Sequence, residues 1–355
     1  MSVVDVLIGA LCFAIVGLLF VQTTARHRSA ARSEACAANL RRIGVAIHNY
    51  HSAYKILPMG SGGTHDTGDP STGNAYRLGP LVGLLAFADE QGLWEQVSNS
   101  YISPRKKSFP SMGPMPLHDP SEYLIWNKRP ALFICPDDPE SSKRSPRCSY
   151  VSCYGDGTFE VGAPSGGVFG AKDIVPEYLD PYTPEGERVV RVTRRGAFMR
   201  TKASKFRDCL DGLSNTLHLS ETKVGLRIAN AIDGLSKDPS KTVNAFAAEP
   251  QNWASVTRGQ CWADGSLAIG GFQTVLPPNS PSAISPKGEL DGIISASSHH
   301  AGGVHALKAD GSVCFVSNDI DTGDPTAPGV NLGDGYTAAG SHSPYGCLLY
   351  TSPSP

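Results

Sequence analysis

Hydrophobic positions follow two regimes along the first 57 residues. From Val3 to Val21 nearly every side chain is apolar, Asp5 is the only charge, and no proline intervenes. About nineteen residues at roughly 1.5 Å each cover about 28 Å, the thickness of a bilayer core. The run therefore predicts a membrane-spanning helix at about 3–21. A secretory signal would have a shorter apolar core, a basic start and a small-residue cleavage site, so the run reads as an anchor. An acid within such a run is costly and calls for a partner, which marks Asp5 as an assembly residue. The second regime starts at Arg26, His27, Arg28 and Arg32, where lipid head groups would lie. Cys36, Leu40, Ile43, Ile47, Tyr50 and Tyr54 then recur at spacings of three and four, an amphipathic stripe that needs a covering surface. The helix is expected to end ahead of Pro58, because the residue before proline is biased away from helix.

Downstream patterns are shorter. Leu81, Leu84, Leu85, Phe87, Leu93, Trp94 and Val97 predict a helix within Leu78–Tyr101, interrupted at Gly92, that covers the stripe. Five prolines in 102–120 predict an irregular connection. Leu132–Cys135 is expected as a buried strand ended by Pro136, and Ser149–Tyr154 as another. Pro164–Arg200 reads as surface loops with an exposed hairpin, and Leu217–Leu219 as a strand ending at Glu221. Residues 225–290 carry little periodicity. The strongest local pattern is a C-terminal hairpin, Val304–Ala309 and Ser312–Ser317 around Asp310-Gly311, the preferred pair for a two-residue type I′ turn. That turn sets Leu307 opposite Cys314, Ala306 opposite Phe315 and His305 opposite Val316.

Composition changes this picture modestly. The formal net charge is −2, which excludes an obvious nucleic-acid partner. Among 355 residues are 38 glycines and 27 prolines, roughly 18 per cent against roughly 12 per cent on average, consistent with short strands and many turns. The nine cysteines include no C-x-x-C pair, against a zinc ribbon. Cys148 with Cys153 and Cys36 with Cys135 are both candidate disulfides, and sequence does not choose between them.

Candidate chemistry is sparse. His299, His300 and His305, with Asp310, form a histidine cluster that suggests a metal site, but a hairpin would point these side chains apart, so no metal is expected there and His300 is expected to fix its loop onto the hairpin by hydrogen bonding. Asp137, Asp138, Asp156 and Asp211 adjoin glycine or proline and read as turn residues. No cofactor is expected. A structural calcium ion stays open without assignable ligands, since no run resembles an EF-hand loop. Ser214 with His218 lacks a nucleophile elbow, and Gly166-Gly167 and Gly270-Gly271 fit no phosphate-binding pattern. The chain is thus expected not to be an enzyme.

The start Met1-Ser2-Val3-Val4-Asp5-Val6-Leu7 resembles the mature start of type IV pilins and pseudopilins, with Asp in place of the usual Glu at the fifth position and no basic leader ahead of it. Further blocks resemble a bacterial pilin-like family of unknown function: Asn39-Leu40, Ile43-Gly44 and His48–His51 in the helix; Cys135 and Pro136 in Phe-Ile-Cys-Pro-Asp-Asp-Pro; Asp211, Gly212, Ser214, Asn215 and Thr216 followed by Glu221; and His300, Asp310 and Gly311 in a closing His-x9-Asp-Gly signature. The resemblance implies an α+β, pilin-like fold in which a long N-terminal membrane-spanning helix (1–57) packs against a β-rich, loop-rich head (58–346). In that family the acid near the start pairs with a neighbouring subunit's N-terminal amine. The resemblance further implies a single-pass inner-membrane protein with an extracytoplasmic head, acting as a structural subunit of a type IV pilus-like or type II secretion pseudopilus-like assembly. Its partners would be other pilin-like subunits, with Asp5 setting register and Leu40, Ile43 and Ile47 holding the head. The alternative is a membrane-anchored module in which exposed Trp253, Trp262 and Tyr154 bind envelope polysaccharide. Residues 347–355 resemble translated adapter sequence, so native sequence is expected to stop near Gly346.

Overall fold

The computed structural model describes residues 3–65, 67–118, 121–142, 145–157, 195–198, 200, 203–230, 253–285, 288–324, 326–327 and 345, with backbone alone at 3, 5–6, 9, 16–26, 285 and 288–291. The Asp5 side chain, most of the segment expected as loops and an exposed hairpin, and the tail after Gly346 lie outside the described residues.

One uninterrupted helix, α1, runs from Val3 to Tyr54. Among the described residues no helix is long and apolar enough to cross a membrane. The same helix carries Arg28, Arg32, Glu34, Arg41 and Arg42 over its later turns. This corrects the membrane-spanning part of the expected fold, and single-pass placement in an inner membrane with an extracytoplasmic head falls with it.

The amphipathic stripe is buried. Cys36, Leu40, Ile43 and Ile47 are fully covered, Tyr50 is half-buried and Tyr54 is exposed. The cover begins with α2 (Pro80–Leu84), a 3-10 turn at Leu85–Phe87, and α3 (Gln91–Ser98). The break between them falls at Asp89, whose φ of 59° leaves the helical region, and not at Gly92, which lies inside α3. Burying Leu40 and Ile43 stabilises by roughly 1.5–3 kcal/mol each at ordinary transfer values.

Beyond the helices the described chain is sheet-rich. A short ribbon pairs β1 (Tyr101–Ile102) with β2 (Ser108–Phe109). β3 (Tyr150–Cys153) and β4 (Leu217–Glu221) are buried along their whole length. β5 (Arg227–Asn230), β6 (Trp253–Thr257), β8 (Ala283–Ser285) and β9 (Gly288–Ile293) form a four-stranded sheet in the order β6-β5-β8-β9. A single-turn helix α4 (Leu267–Gly270) leads into β7 (Gly271–Phe272). The hairpin β10 (Gly303–Lys308) and β11 (Val313–Ser317) completes a five-stranded sheet ordered β11-β10-β4-β3-β7. α1 crosses β10 where a Cβ on Gly44 would stand 2.9 Å from the Leu307 side chain, so glycine permits the close approach.

Three local expectations need correction. Leu132–Cys135 is not a strand: Ala131–Phe133 form a 3-10 turn, with the Phe133 N–H donating to the Pro130 carbonyl. The hairpin register is shifted by one, with His305 opposite Phe315, Ala306 opposite Cys314 and Leu307 opposite Val313. Its loop has three residues rather than two, since the Lys308 N–H donates to Ser312 and Gly311 takes φ +86°. That is the type I turn followed by a left-handed residue, the next most common hairpin connection. Third, Trp262 and Tyr154 are buried and bond the Lys128 and Gly265 carbonyls, so they offer no surface to a polysaccharide. Trp253 is half-buried beneath Arg227.

Candidate functional site

Four distant segments meet beneath the middle of α1. Cys36 on its buried face is disulfide-bonded to Cys135, 99 residues away in sequence. Cys148 and Cys153 are free and buried. They flank the extended β3, which separates residues five apart by roughly 16 Å, far beyond the 4.4–6.8 Å Cα reach of a disulfide. The chosen bridge ties α1 to the loop that follows the 3-10 turn, where Asn39 donates to the Ile134 carbonyl at 3.0 Å and Tyr150 donates to the Cys36 carbonyl at 3.1 Å.

Beside the bridge lies a buried charge cluster. Glu221 ends β4, a strand with no exposed face, so its carboxylate is delivered into the interior. There it meets His300 Nε2 at 3.0 Å and accepts from the His305 backbone N–H at 2.7 Å, with His305 Nδ1 at 3.3 Å. The other ring nitrogen of His300, Nδ1, is 3.0 Å from Asp137 Oδ2, and the second oxygen of Asp137 accepts from Arg32 Nε at 2.6 Å. Cys135 Sγ stands 3.7 Å from His300 Nε2. The loop carrying His300 is held by Ser298, whose hydroxyl accepts from the His300 N–H and donates to the Gly303 carbonyl.

Burial drives the His300 pKa down, but hydrogen bonding and charge from Glu221, then charge and hydrogen bonding from Asp137, outweigh it, and the net direction is upward. Burial raises Glu221, yet hydrogen bonds from His300 and His305 and the charge of His300 bring it below the ordinary carboxylate value. Each partner thus favours the charged form of the other, the behaviour of a buried ion pair. Asp137 is therefore more than a turn residue. Asp138 serves two backbones, accepting from the N–H groups of Glu140 and Val224. His300 does not simply pin its own loop to the hairpin; it joins the hairpin, β4 and the segment after Cys135.

The remaining motif residues gather at the far end of the same hairpin. The Ala309 N–H donates to the Thr216 carbonyl and the Asp310 N–H to Leu213. Asn215 donates to the Asp211 carbonyl and the Thr216 hydroxyl to Gly212, which takes φ +91°. The Asp310 carboxylate accepts from Ser312, which with a Ser214 hydrogen bond outweighs its burial and holds its pKa below the ordinary value. Pro136 follows Cys135 at the bridge. The sequence motifs therefore resolve into two clusters: Cys135, Pro136, Glu221 and His300 at the bridge, and Asp211, Gly212, Ser214, Asn215, Thr216, Asp310 and Gly311 at the hairpin turn. Asp137, Arg32 and His305 were missed as members of the first. The signal available for them was a carboxylate directly after Cys135-Pro136 and a basic residue one helical turn before Cys36.

A separate groove of about 260 Å³ opens between the end of α1 and α3, lined in part by Tyr50, Tyr54, Phe87 and Trp94. Tyr50 and Tyr54 both meet Phe87 edge-on.

No curated protein and no solved structure matches the chain. Residues 25–323, which include both motif clusters and the buried part of α1, match the bacterial family described as "Protein of unknown function (DUF1559)", and the chain belongs to that family.

Proposed function

We propose that this protein is a non-enzymatic structural subunit that associates with other pilin-like subunits through the N-terminal half of α1, in a type IV pilus-like or secretion-pseudopilus-like assembly. The observation that carries this reading is the bare apolar seam at the start of the helix. Val4, Leu7, Ile8, Leu11, Phe13 and Ile15 are all exposed, Phe13 at 83%. Val4, Ile8, Leu11 and Ile15 repeat at spacings of four, three and four, the pattern with which helices pack side by side. A contiguous exposed apolar patch of this kind marks an interaction surface. The other half of the same helix is fixed to the head by a disulfide and a core, so the seam is presented on a rigid support. Like seams on neighbouring copies are complementary to it.

The test is sedimentation velocity and negative-stain microscopy of the full chain beside a Leu7→Glu/Leu11→Glu variant. Concentration-dependent oligomers or filaments that the variant loses, with its head still folded by circular dichroism, support the reading. A wild-type chain that stays monomeric at every concentration, or a variant that assembles equally well, overturns it.

A second reading, a module that binds polysaccharide, draws on the aromatic groove of Tyr50, Tyr54, Phe87 and Trp94. Retardation of the chain in native gels containing envelope polysaccharide, abolished by Tyr54→Ala, would favour it; unchanged mobility counts against it.

A further inference from the structure

We propose that the Cys36–Cys135 bridge and the His300–Glu221 pair are one site in two redox states: a disulfide when oxidised, and a tetrahedral zinc site when reduced. Cys36 Sγ, Cys135 Sγ, a Glu221 carboxylate oxygen and a His300 ring nitrogen all lie within 4.8 Å of one another. Zinc with bonds of about 2.3 Å to sulfur and about 2.0–2.2 Å to nitrogen and oxygen sets its ligand atoms roughly 3.3–3.8 Å apart. One of the needed edges already exists, 3.7 Å from Cys135 Sγ to His300 Nε2, and the 3.0 Å hydrogen bond from His300 Nε2 to Glu221 Oε1 would open by a few tenths of an ångström to admit the ion. Two cysteines, one histidine and one carboxylate supply a donor set suited to zinc.

The supporting residues argue more specifically for a metal. A zinc-bound histidine holds its other nitrogen on a carboxylate, which fixes the ring and raises its basicity. His300 directs Nε2 at the cysteines while Nδ1 stands 3.0 Å from Asp137, itself held by Arg32. The Glu221 oxygen left over is held by the His305 N–H. The Asp137 carboxylate thus stands beside the ring, and the His305 N–H on Glu221, while the sulfurs are still bonded to each other. The four ligands come from four distant segments, so the site exists only in the folded chain.

The conversion balances as follows. A dithiol reductant donates two electrons and two protons to the disulfide, giving the Cys36 and Cys135 thiols and the cyclic disulfide of the reductant. Zn²⁺ then displaces both thiol protons, together with the His300 proton where that ring is charged. Either state cross-links α1 to the head at the same point.

The experiment uses the full chain, oxidised in air or reduced with a dithiol and desalted without oxygen, then equilibrated with Zn²⁺ and a chromophoric chelator. About one tightly bound zinc per reduced chain and none per oxidised chain is the expected result. His300→Ala should weaken retention at least 10-fold, and Asp137→Asn by about 10–100-fold with the stoichiometry kept. Co²⁺ in place of zinc should give tetrahedral d–d absorption with sulfur-to-metal charge transfer, a readout that a site built of carboxylates or histidines alone would not produce. Reduced wild-type chain that takes up no zinc overturns the proposal. So does equal uptake by the oxidised chain, or uptake unaffected by His300→Ala, which would assign the metal to other cysteines such as the exposed Cys12.

Discussion

Between Cys36 and Ile47, α1 presents apolar residues every three or four positions to a core that covers them completely; between Val4 and Ile15 the same spacing faces solvent. Helical geometry is identical in the two halves. The difference is the partner: the later half has α2, α3 and β10 of its own chain, and the earlier half has none among the described residues. The later half also carries a covalent tie and an ion pair, Arg32 to Asp137. One half thus contributes to the stability of this chain, and the other leaves its apolar side chains uncovered among the described residues.

Four substitutions break or sharpen that contrast, in decreasing order of effect. Cys36→Ser opens a loop closed across a sequence separation of 99, and the chain-entropy relation puts the loss at roughly 4.7 kcal/mol. Denaturant unfolding with and without reductant measures it, and reductant should destabilise the wild type but not the variant. Glu221→Ala removes the carboxylate from His300 Nε2 and leaves Asp137 alone beside the ring, a loss toward the lower end of the roughly 3–5 kcal/mol of a broken buried pair. Leu40→Ala cuts a side chain with no exposed surface and should cost about 2–5 kcal/mol, depending on how far the surrounding core collapses into the space. Leu11→Ala, on the bare half, should change unfolding by less than about 0.5 kcal/mol while weakening association in sedimentation. If Leu11→Ala destabilised the monomer as Leu40→Ala does, the two halves would not differ as described.

The charge cluster adds a pH signature. His300 is raised on folding, so its contribution is complete below the ordinary imidazole value of 6.5 and fades as pH climbs through the higher folded value. Glu221 is lowered, so its contribution is complete above the ordinary 4.5 and fades as pH falls through the lower folded value. Stability from this pair should plateau between about 4.5 and 6.5 and decline on both sides. Thermal unfolding across this range should show the plateau, and Glu221→Gln should remove its acid limb.

The buried stripe of α1 was legible because apolar residues recurring every three and four positions mark one face of a helix, and strands and loops do not share that period. The hairpin was legible from Asp310-Gly311, but its register was not: Ala309 can join the turn or the strand, and only the bond from Lys308 to Ser312 decides. Of the two candidate disulfides, geometry along β3 removes Cys148–Cys153, a constraint that a strand prediction already contained. The cluster itself was hidden, because Asp137 and Glu221 look locally like a turn residue and a strand end. Their meeting with His300 depends on chain crossings that no local pattern encodes. Residues 225–290 resisted for a related reason. β5 pairs with β8 in parallel across more than fifty residues, and strands of two to six residues are too short to display a period.

The bridge at Cys36 also decides how a pull would travel. Tension applied to the bare half of α1, with the chain held downstream of Cys135, enters the head at the sulfur–sulfur bond. The 98 residues enclosed between the two cysteines lie outside that line of force, so α2, α3 and the stripe they cover need not stretch. In an assembly joined by its helices, each subunit would then bear traction through a covalent short circuit while its principal core stays slack.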